Sequence, residues 1–188
     1  MDWTDRNTCI LFGDAAAATV VQRLPEGVEG ILAWENGADG SGAPYLKMEG
    51  GGSLNPPSHE TVDAKQHFIY QDGRTVFKHA VEGMAAISER VLEKAGLTGE
   101  DVDLFIPHQA NLRIMDYARK KLGLPEEKLM VTIDRFGNTT SATIPAALRV
   151  AHEEGRIQAG DLLVFATFGA GFTWGACALR WTPGKGGR

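Results

Sequence analysis

Hydrophobic and polar positions along this chain change period several times, and each change marks an element. Thr8-Cys9-Ile10-Leu11-Phe12 is a short apolar run ending at the turn signal Gly13-Asp14. Thr19-Val20-Val21 and Gly30-Ile31-Leu32-Ala33-Trp34 offer two further strands. Between residues 36 and 63, Gly, Pro, Ser and Asn dominate, including Gly50-Gly51-Gly52 and Pro56-Pro57, which predicts a long irregular loop. His67-Phe68-Ile69-Tyr70 reads as a strand running into Asp72-Gly73. Over residues 74–95 the apolar positions Val76, Phe77, Ala80, Val81, Met84, Ile87, Val91 and Leu92 recur at three and four. That period predicts a helix with one buried stripe, and Gly96 is its stop.

Leu104-Phe105-Ile106 is a short apolar strand ending in Pro107-His108, residues 111–122 a second helix, and Leu129-Met130-Val131-Thr132-Ile133 another strand. Phe136-Gly137-Asn138-Thr139-Thr140-Ser141 is a loop, after which Pro145 suits the first turn of a helix reaching Glu154. Residues 162–179 carry no charge and approach membrane-spanning length. However, Gly169-Ala170-Gly171 interrupts them, and Val164, Phe165, Thr167, Phe172, Thr173 and Trp174 favour strands. Two buried strands joined by a Gly turn are the better reading. The alternation of strands and helices indicates an α/β protein with helices packed on a mixed sheet.

The 188 residues are 43% hydrophobic and 23% charged, enough for one compact core and too apolar for disorder. With 24 acidic and 19 basic side chains the net charge is −5, which argues against general nucleic-acid binding. Cys9 and Cys177 have neither metal-ligand spacing nor the density of a disulfide scaffold. Met1-Asp2-Trp3-Thr4-Asp5-Arg6 lacks the basic-then-apolar order of a signal peptide. The expectation is a soluble, cytoplasmic protein with no bound metal and no membrane insertion. Residues 183–188, Pro183-Gly184-Lys185-Gly186-Gly187-Arg188, read as a flexible tail.

Ligands of open α/β sheets gather beyond the carboxyl ends of strands. Three such ends carry suggestive residues: His108 to Asn111, Gly137 to Ser141, and Phe168 to Phe172. An imidazole, an amide and unhindered backbone N–H groups are the parts that hold a negatively charged oxygen. A capping His, a turn Asn and a strand-linking Gly turn would leave the same pattern, which by itself keeps both readings open.

Longer stretches decide between them. Phe105-Ile106-Pro107-His108-Gln109-Ala110-Asn111-Leu112-Arg113-Ile114, Gly137-Asn138-Thr139-Thr140-Ser141-Ala142 and Phe168-Gly169-Ala170-Gly171-Phe172-Thr173-Trp174-Gly175 closely resemble β-ketoacyl-acyl carrier protein synthase III. Thr8-Cys9-Ile10-Leu11-Phe12-Gly13-Asp14-Ala15 and Asp72-Gly73-Arg74-Thr75-Val76-Phe77-Lys78 fit the same family in the same order. The likeness covers nearly the whole chain and is weakest between residues 36 and 63. It implies a thiolase-like fold, of which residues 1–35 would be closing strands of the first half and the connection, and residues 36–182 the second half. The family condenses an acyl-CoA primer with malonyl-acyl carrier protein to begin fatty-acid synthesis. CoA thioesters enter as substrates, and no cofactor is implied.

The resemblance assigns His108 and Asn138 to holding the malonyl thioester oxygen while CO2 leaves. Gly169, Ala170 and Gly171 match the turn that supplies a backbone N–H to the acyl intermediate, with Ala170 where the family commonly has Gly. Gly73, Phe77 and Asn111 match residues along the pantetheine tunnel. Lys78, Arg113, Lys120 and Lys121 match the basic dock for the acidic acyl carrier protein. The family's nucleophilic cysteine belongs to the first half and has no counterpart here, so this chain is expected to carry half an active site. It would be a piece of a longer product, or pair with a separate chain bearing that half or with a homodimer mate. Two other readings stand beside this one. The first is a cysteine hydrolase using Cys177, His108 and Asn138, and the second a non-catalytic module that binds the carrier or a partner.

Overall fold

Two long strands near the C-terminus form the spine of the computed structural model, which describes residues 1–182. Strands β5, Leu162–Gly169, and β6, Thr173–Arg180, are antiparallel neighbours joined by the Gly-rich turn between them. On one side β1, Ile31–Ala38, pairs antiparallel with β6; on the other β4, Leu104–Pro107, lies parallel to β5. The four-stranded mixed sheet therefore has the order β1-β6-β5-β4. A separate two-stranded ribbon joins β2, Leu46–Met48, to β3, Ile69–Gln71.

Alternation along β4 and β5 sorts side chains between two cores. Phe105, Leu162, Val164, Ala166 and Phe168 meet helix α2, Gly73–Ala95, and helix α3, Leu112–Lys121. Leu104, Ile106 and Leu163 meet Ala147, Val150 and Ala151 of helix α5, Thr143–Glu153. Both faces of this parallel pair are thus covered, the usual state of parallel sheet and the reason these strands read as unbroken apolar runs. The long helix follows its sequence signals closely. Asp72 caps α2 by accepting from the Thr75 N–H at 3.0 Å, and Gly96 ends it in the left-handed region at φ 71°. Two short helices, α1 at His59–Asp63 and α4 at Ile133–Phe136, complete the set.

Four expectations change. Residues 8–12 form turns rather than a strand, with a single parallel bridge from Phe12 to Asn138. Residues 19–21 form no strand either, and Val20 and Val21 are about 80% exposed. Extended backbone becomes a strand only beside a partner that takes its hydrogen bonds, and no neighbouring strand lies along either segment. The "closing strands" expected within residues 1–35 therefore reduce to β1, which continues to Ala38. Residues 129–133 hold one bridge, Leu129 to Phe105, then turn into α4; the Thr132 N–H goes to the side chain of Gln109 instead of a ladder. Finally, the loop expected over residues 36–63 contains the end of β1, β2 and α1, the last fixed by a reciprocal Ser58–Thr61 capping box. The expected flexible tail, residues 183–188, lies outside the described residues. Among those described, no helix is long and apolar enough to cross a membrane.

Candidate active site

His108 follows β4 directly, and its backbone N–H still bonds across to the Ala166 carbonyl of β5 at 2.8 Å. The next residue, Gln109, is buried and acts as a clamp. Its Nε2 donates to the carbonyls of Pro107 (2.8 Å) and Met130 (3.1 Å), and its Oε1 accepts from the Thr132 N–H (2.8 Å). The imidazole is held from behind, with Nδ1 2.6 Å from the hydroxyl of Thr143 at the start of α5. Burial lowers its pKa to about 4, because a charged ring would lose hydration that nothing nearby replaces. The ring is therefore neutral at physiological pH.

Asn138 arrives differently. Its backbone N–H donates to the Leu11 carbonyl at 2.9 Å, and its carbonyl accepts from the Gly13 N–H at 3.0 Å. The approach is so close that a Cβ on Gly13 would overlap the Phe136 carbonyl oxygen, and Gly137 turns the chain with φ 67°. Glycine is needed at both places for steric reasons. The side-chain Oδ1 of Asn138 accepts from the Thr140 N–H at 2.9 Å. That bond orients the amide, leaving Nδ2 as its free donor end.

Both residues line one cavity of about 910 Å³ whose apolar wall includes Phe77, Ala80, Met84 and Phe168. Gly73, Asn111, Gly169 and Ala170 also line it, so seven sequence-predicted positions meet in one space. The Ala170 N–H has no acceptor among the described residues. Gly171 does not reach the cavity; it sits in the turn itself, where Thr173 approaches it. Asn111 caps α3, its Oδ1 accepting from the Arg113 N–H at 2.9 Å. The amide thus has a protein partner already, and only its Nδ2 end is free.

The basic positions spread around the α2–α3 surface. A second, shallower groove of about 360 Å³ is lined by Phe77, Val81, Arg113, Asp116, Tyr117 and Lys120. Arg113 lies over the Phe77 ring at 4.8 Å, and Phe77 borders both groove and cavity. Lys120 pairs with Asp116 at 2.7 Å and Lys121 lies over Tyr117, while Lys78 is exposed outside the groove. The neighbouring Arg119, also basic, turns inward to Asp116 and the Leu124 carbonyl. Neither cysteine lines the cavity. Cys177 lies within β6 opposite Phe165, and burial raises its thiol pKa, the reverse of what a nucleophile needs. A hydrolase built on Cys177 and His108 has no geometric support.

Gln109, Thr143, Leu11 and Gly13 were not singled out by sequence as parts of the site. Gln109 could have been suspected as a polar residue inside an apolar run; the others carry no local signal, because they act through contacts 35 to 127 residues away that folding alone creates.

The geometry agrees with comparisons to known proteins. Residues 92–181 match the family model described as 3-oxoacyl-[acyl-carrier-protein (ACP)] synthase III C terminal, and residues 1–40 match the model of 3-oxoacyl-[acyl-carrier-protein (ACP)] synthase III. A curated β-ketoacyl-[acyl-carrier-protein] synthase III of Symbiobacterium thermophilum is 53% identical over 181 residues, covering 96% of this chain and 54% of that protein. Its counterpart in Koribacter versatilis is 48% identical over 182 residues, with 96% and 55% covered. The solved synthase III of Thermus thermophilus superposes with a TM-score of 0.86 at 44% identity, covering 98% of this chain and 56% of that one. The chain spans about half the length of the curated relatives it matches. The fold is thiolase-like, as expected. With fold, motif order and sequence in agreement, this chain belongs to the β-ketoacyl-[acyl-carrier-protein] synthase III family and corresponds to its C-terminal part.

Proposed function

We propose that this chain supplies the enolate-holding side of a β-ketoacyl-acyl carrier protein synthase III, acting on a malonyl thioester delivered by acyl carrier protein. The observation that carries the reading is the meeting of His108 and Asn138 on one cavity, each anchored from behind with one polar end left free. Loss of CO2 from a malonyl thioester leaves an enolate whose charge collects on the thioester oxygen. Two fixed N–H donors, His108 Nε2 and Asn138 Nδ2, stabilise that charge without solvent having to reorganise. A neutral imidazole suits the step, since it donates one hydrogen bond and does not protonate the enolate outright.

The remaining parts fit around that centre. The apolar cavity suits a pantetheine arm, with the Asn111 Nδ2 as a polar contact along it. Arg113 and Lys120 beside the groove, with Lys78 and Lys121 near it, give an acidic carrier a basic approach on a protein that is acidic overall. The free Ala170 N–H would serve the acyl intermediate. The acyl-CoA primer needs a nucleophilic cysteine, which the preceding half of the fold or a partner chain would contribute. Val20, Val21, Ile31 and Trp34 are each exposed and would offer apolar surface for such a half or a second copy to cover.

Decarboxylation tests the reading without any cysteine: malonyl-CoA plus a proton gives acetyl-CoA and CO2. His108→Ala and Asn138→Ala should each lower the rate about a hundred- to thousandfold. Equal rates in wild type and both variants would sink the proposal. A wild type that binds acyl carrier protein but never releases CO2 would favour the non-catalytic docking reading instead.

A further inference from the structure

The hydroxyl of Thr143 stands at a branch point. Its Oγ1 lies 2.6 Å from His108 Nδ1 and 2.9 Å from the Thr140 carbonyl, and the side chain is 2% exposed. A threonine hydroxyl has one proton, so it can donate to only one of these two groups. The choice fixes the tautomer of His108. If the hydroxyl donates to Thr140, Nδ1 must carry the ring proton and Nε2 is a bare acceptor. If it donates to Nδ1, the proton moves to Nε2, which becomes a donor.

Two observations and the chemistry of the proposed site bear on the choice. The Thr140 carbonyl already accepts from the Thr143 backbone N–H, so it stays satisfied when the hydroxyl leaves. His108 Nδ1 has no other partner than Thr143 Oγ1 among the described residues. Nδ1 is therefore paired with this hydroxyl in either state, as donor or as acceptor, and the open end separates the two: Nε2 is left for the cavity, where an oxygen that gains negative charge needs a donor. We propose that the Thr143 hydroxyl donates to His108 Nδ1 and so makes Thr143 a positioning residue, holding Nε2 in its protonated form toward the cavity. The inference deepens the decarboxylation reading and rests on it for the choice of tautomer: an Nε2 lone pair facing an enolate oxygen would repel the charge it has to stabilise. Thr143 itself touches no reacting atom.

The tautomer can be read without any activity. In this chain labelled with 15N-histidine, long-range 1H–15N correlation at neutral pH distinguishes protonated from bare ring nitrogens, with His108 assigned by the signal that His108→Gln removes. The expected wild-type pattern has the proton on Nε2. Thr143→Val keeps the shape and removes the hydroxyl; its two ring-nitrogen shifts should converge as the tautomers interconvert, and Thr143→Ser should restore the wild-type separation. A proton on Nδ1 in the wild type, or a wild-type pattern in Thr143→Val, overturns the proposal. Should Thr143→Val fail to fold, the wild-type pattern alone decides. In malonyl-CoA decarboxylation, Thr143→Val should lose about ten- to a hundredfold in kcat, the size seen for partners that orient an imidazole. KM should stay within about twofold, and Thr143→Ser should recover most of the loss. A chain that decarboxylates nothing would defeat the reading of function while leaving the tautomer result to stand or fall by itself.

Discussion

His108 and Asn138 line the same cavity, yet the chain delivers them by opposite means. His108 stands on the covered parallel strands of the core, tied to Ala166 and braced by a fully satisfied Gln109. Asn138 sits in a loop, and its long-range ties are two backbone bonds to residues 11 and 13, in a segment with no strand or helix of its own. One residue inherits the rigidity of the core; the other depends on a thin N-terminal strap. The proposed charge-stabilising site needs both in place at once, so the weaker anchor governs how well that site would be formed.

The sharpest way to break the core side is Gln109→Ala, which leaves the Thr132 N–H and two carbonyls without their partner. Unfolding stability should fall by about 4 kcal/mol at roughly 1–1.5 kcal/mol per buried hydrogen bond, measured by urea denaturation. A loss below about 1 kcal/mol would show that the clamp is incidental. Acid should weaken the same side. The folded pKa of His108, about 4, lies below the ordinary 6.5. Between those values the unfolded chain takes up a proton that the folded chain refuses. Stability from this group is therefore complete above pH 6.5 and is lost as pH falls toward 4, on the order of 3 kcal/mol in all. His108→Gln should flatten that part of the pH–stability curve, and an unchanged slope would contradict the assignment.

The strap should respond locally and by less. The Asn138 N–H, bonded to Leu11, should exchange with solvent faster than the His108 and Met130 N–H groups, which bond within the core. Gly13→Ala forces a Cβ against the Phe136 carbonyl and should speed Asn138 exchange by about tenfold, the equivalent of 1.4 kcal/mol, while leaving the core amides unchanged. Equal protection at His108 and Asn138 would dissolve the distinction between the two anchors.

Much of the body was legible in the sequence. The three-and-four recurrence from Val76 to Leu92 located α2, because a helix that buries one stripe must repeat its apolar residues at that period. The uncharged run around Gly169 resolved into β5 and β6 for a similar local reason: flexible glycines between β-favouring residues make a turn. His108, Asn138, Asn111 and Ala170 were found through ordered motifs, and the cavity holds all four. Strand identity failed wherever it depended on a neighbour. Ile10 to Phe12, Val20 and Val21, and Leu129 to Ile133 have strand-like composition without a ladder to join. Arg119 carries no local sign that it differs from its basic neighbours, yet its helix face turns it toward Asp116 and the Leu124 carbonyl.

The sequence by itself determined the family, the α/β class and the long helix, and named the candidate residues for holding an anionic oxygen, since all of these are written in local period or contiguous motif. Tertiary structure alone decided which of those residues share a cavity, that Gln109 braces His108, that residues 11 and 13 hold Asn138, and that Thr143 addresses the imidazole. The physical reason is the range of the interactions. Periodicity is set by neighbours along the chain, whereas a hydrogen bond between residues 11 and 138 exists only after folding has brought them together.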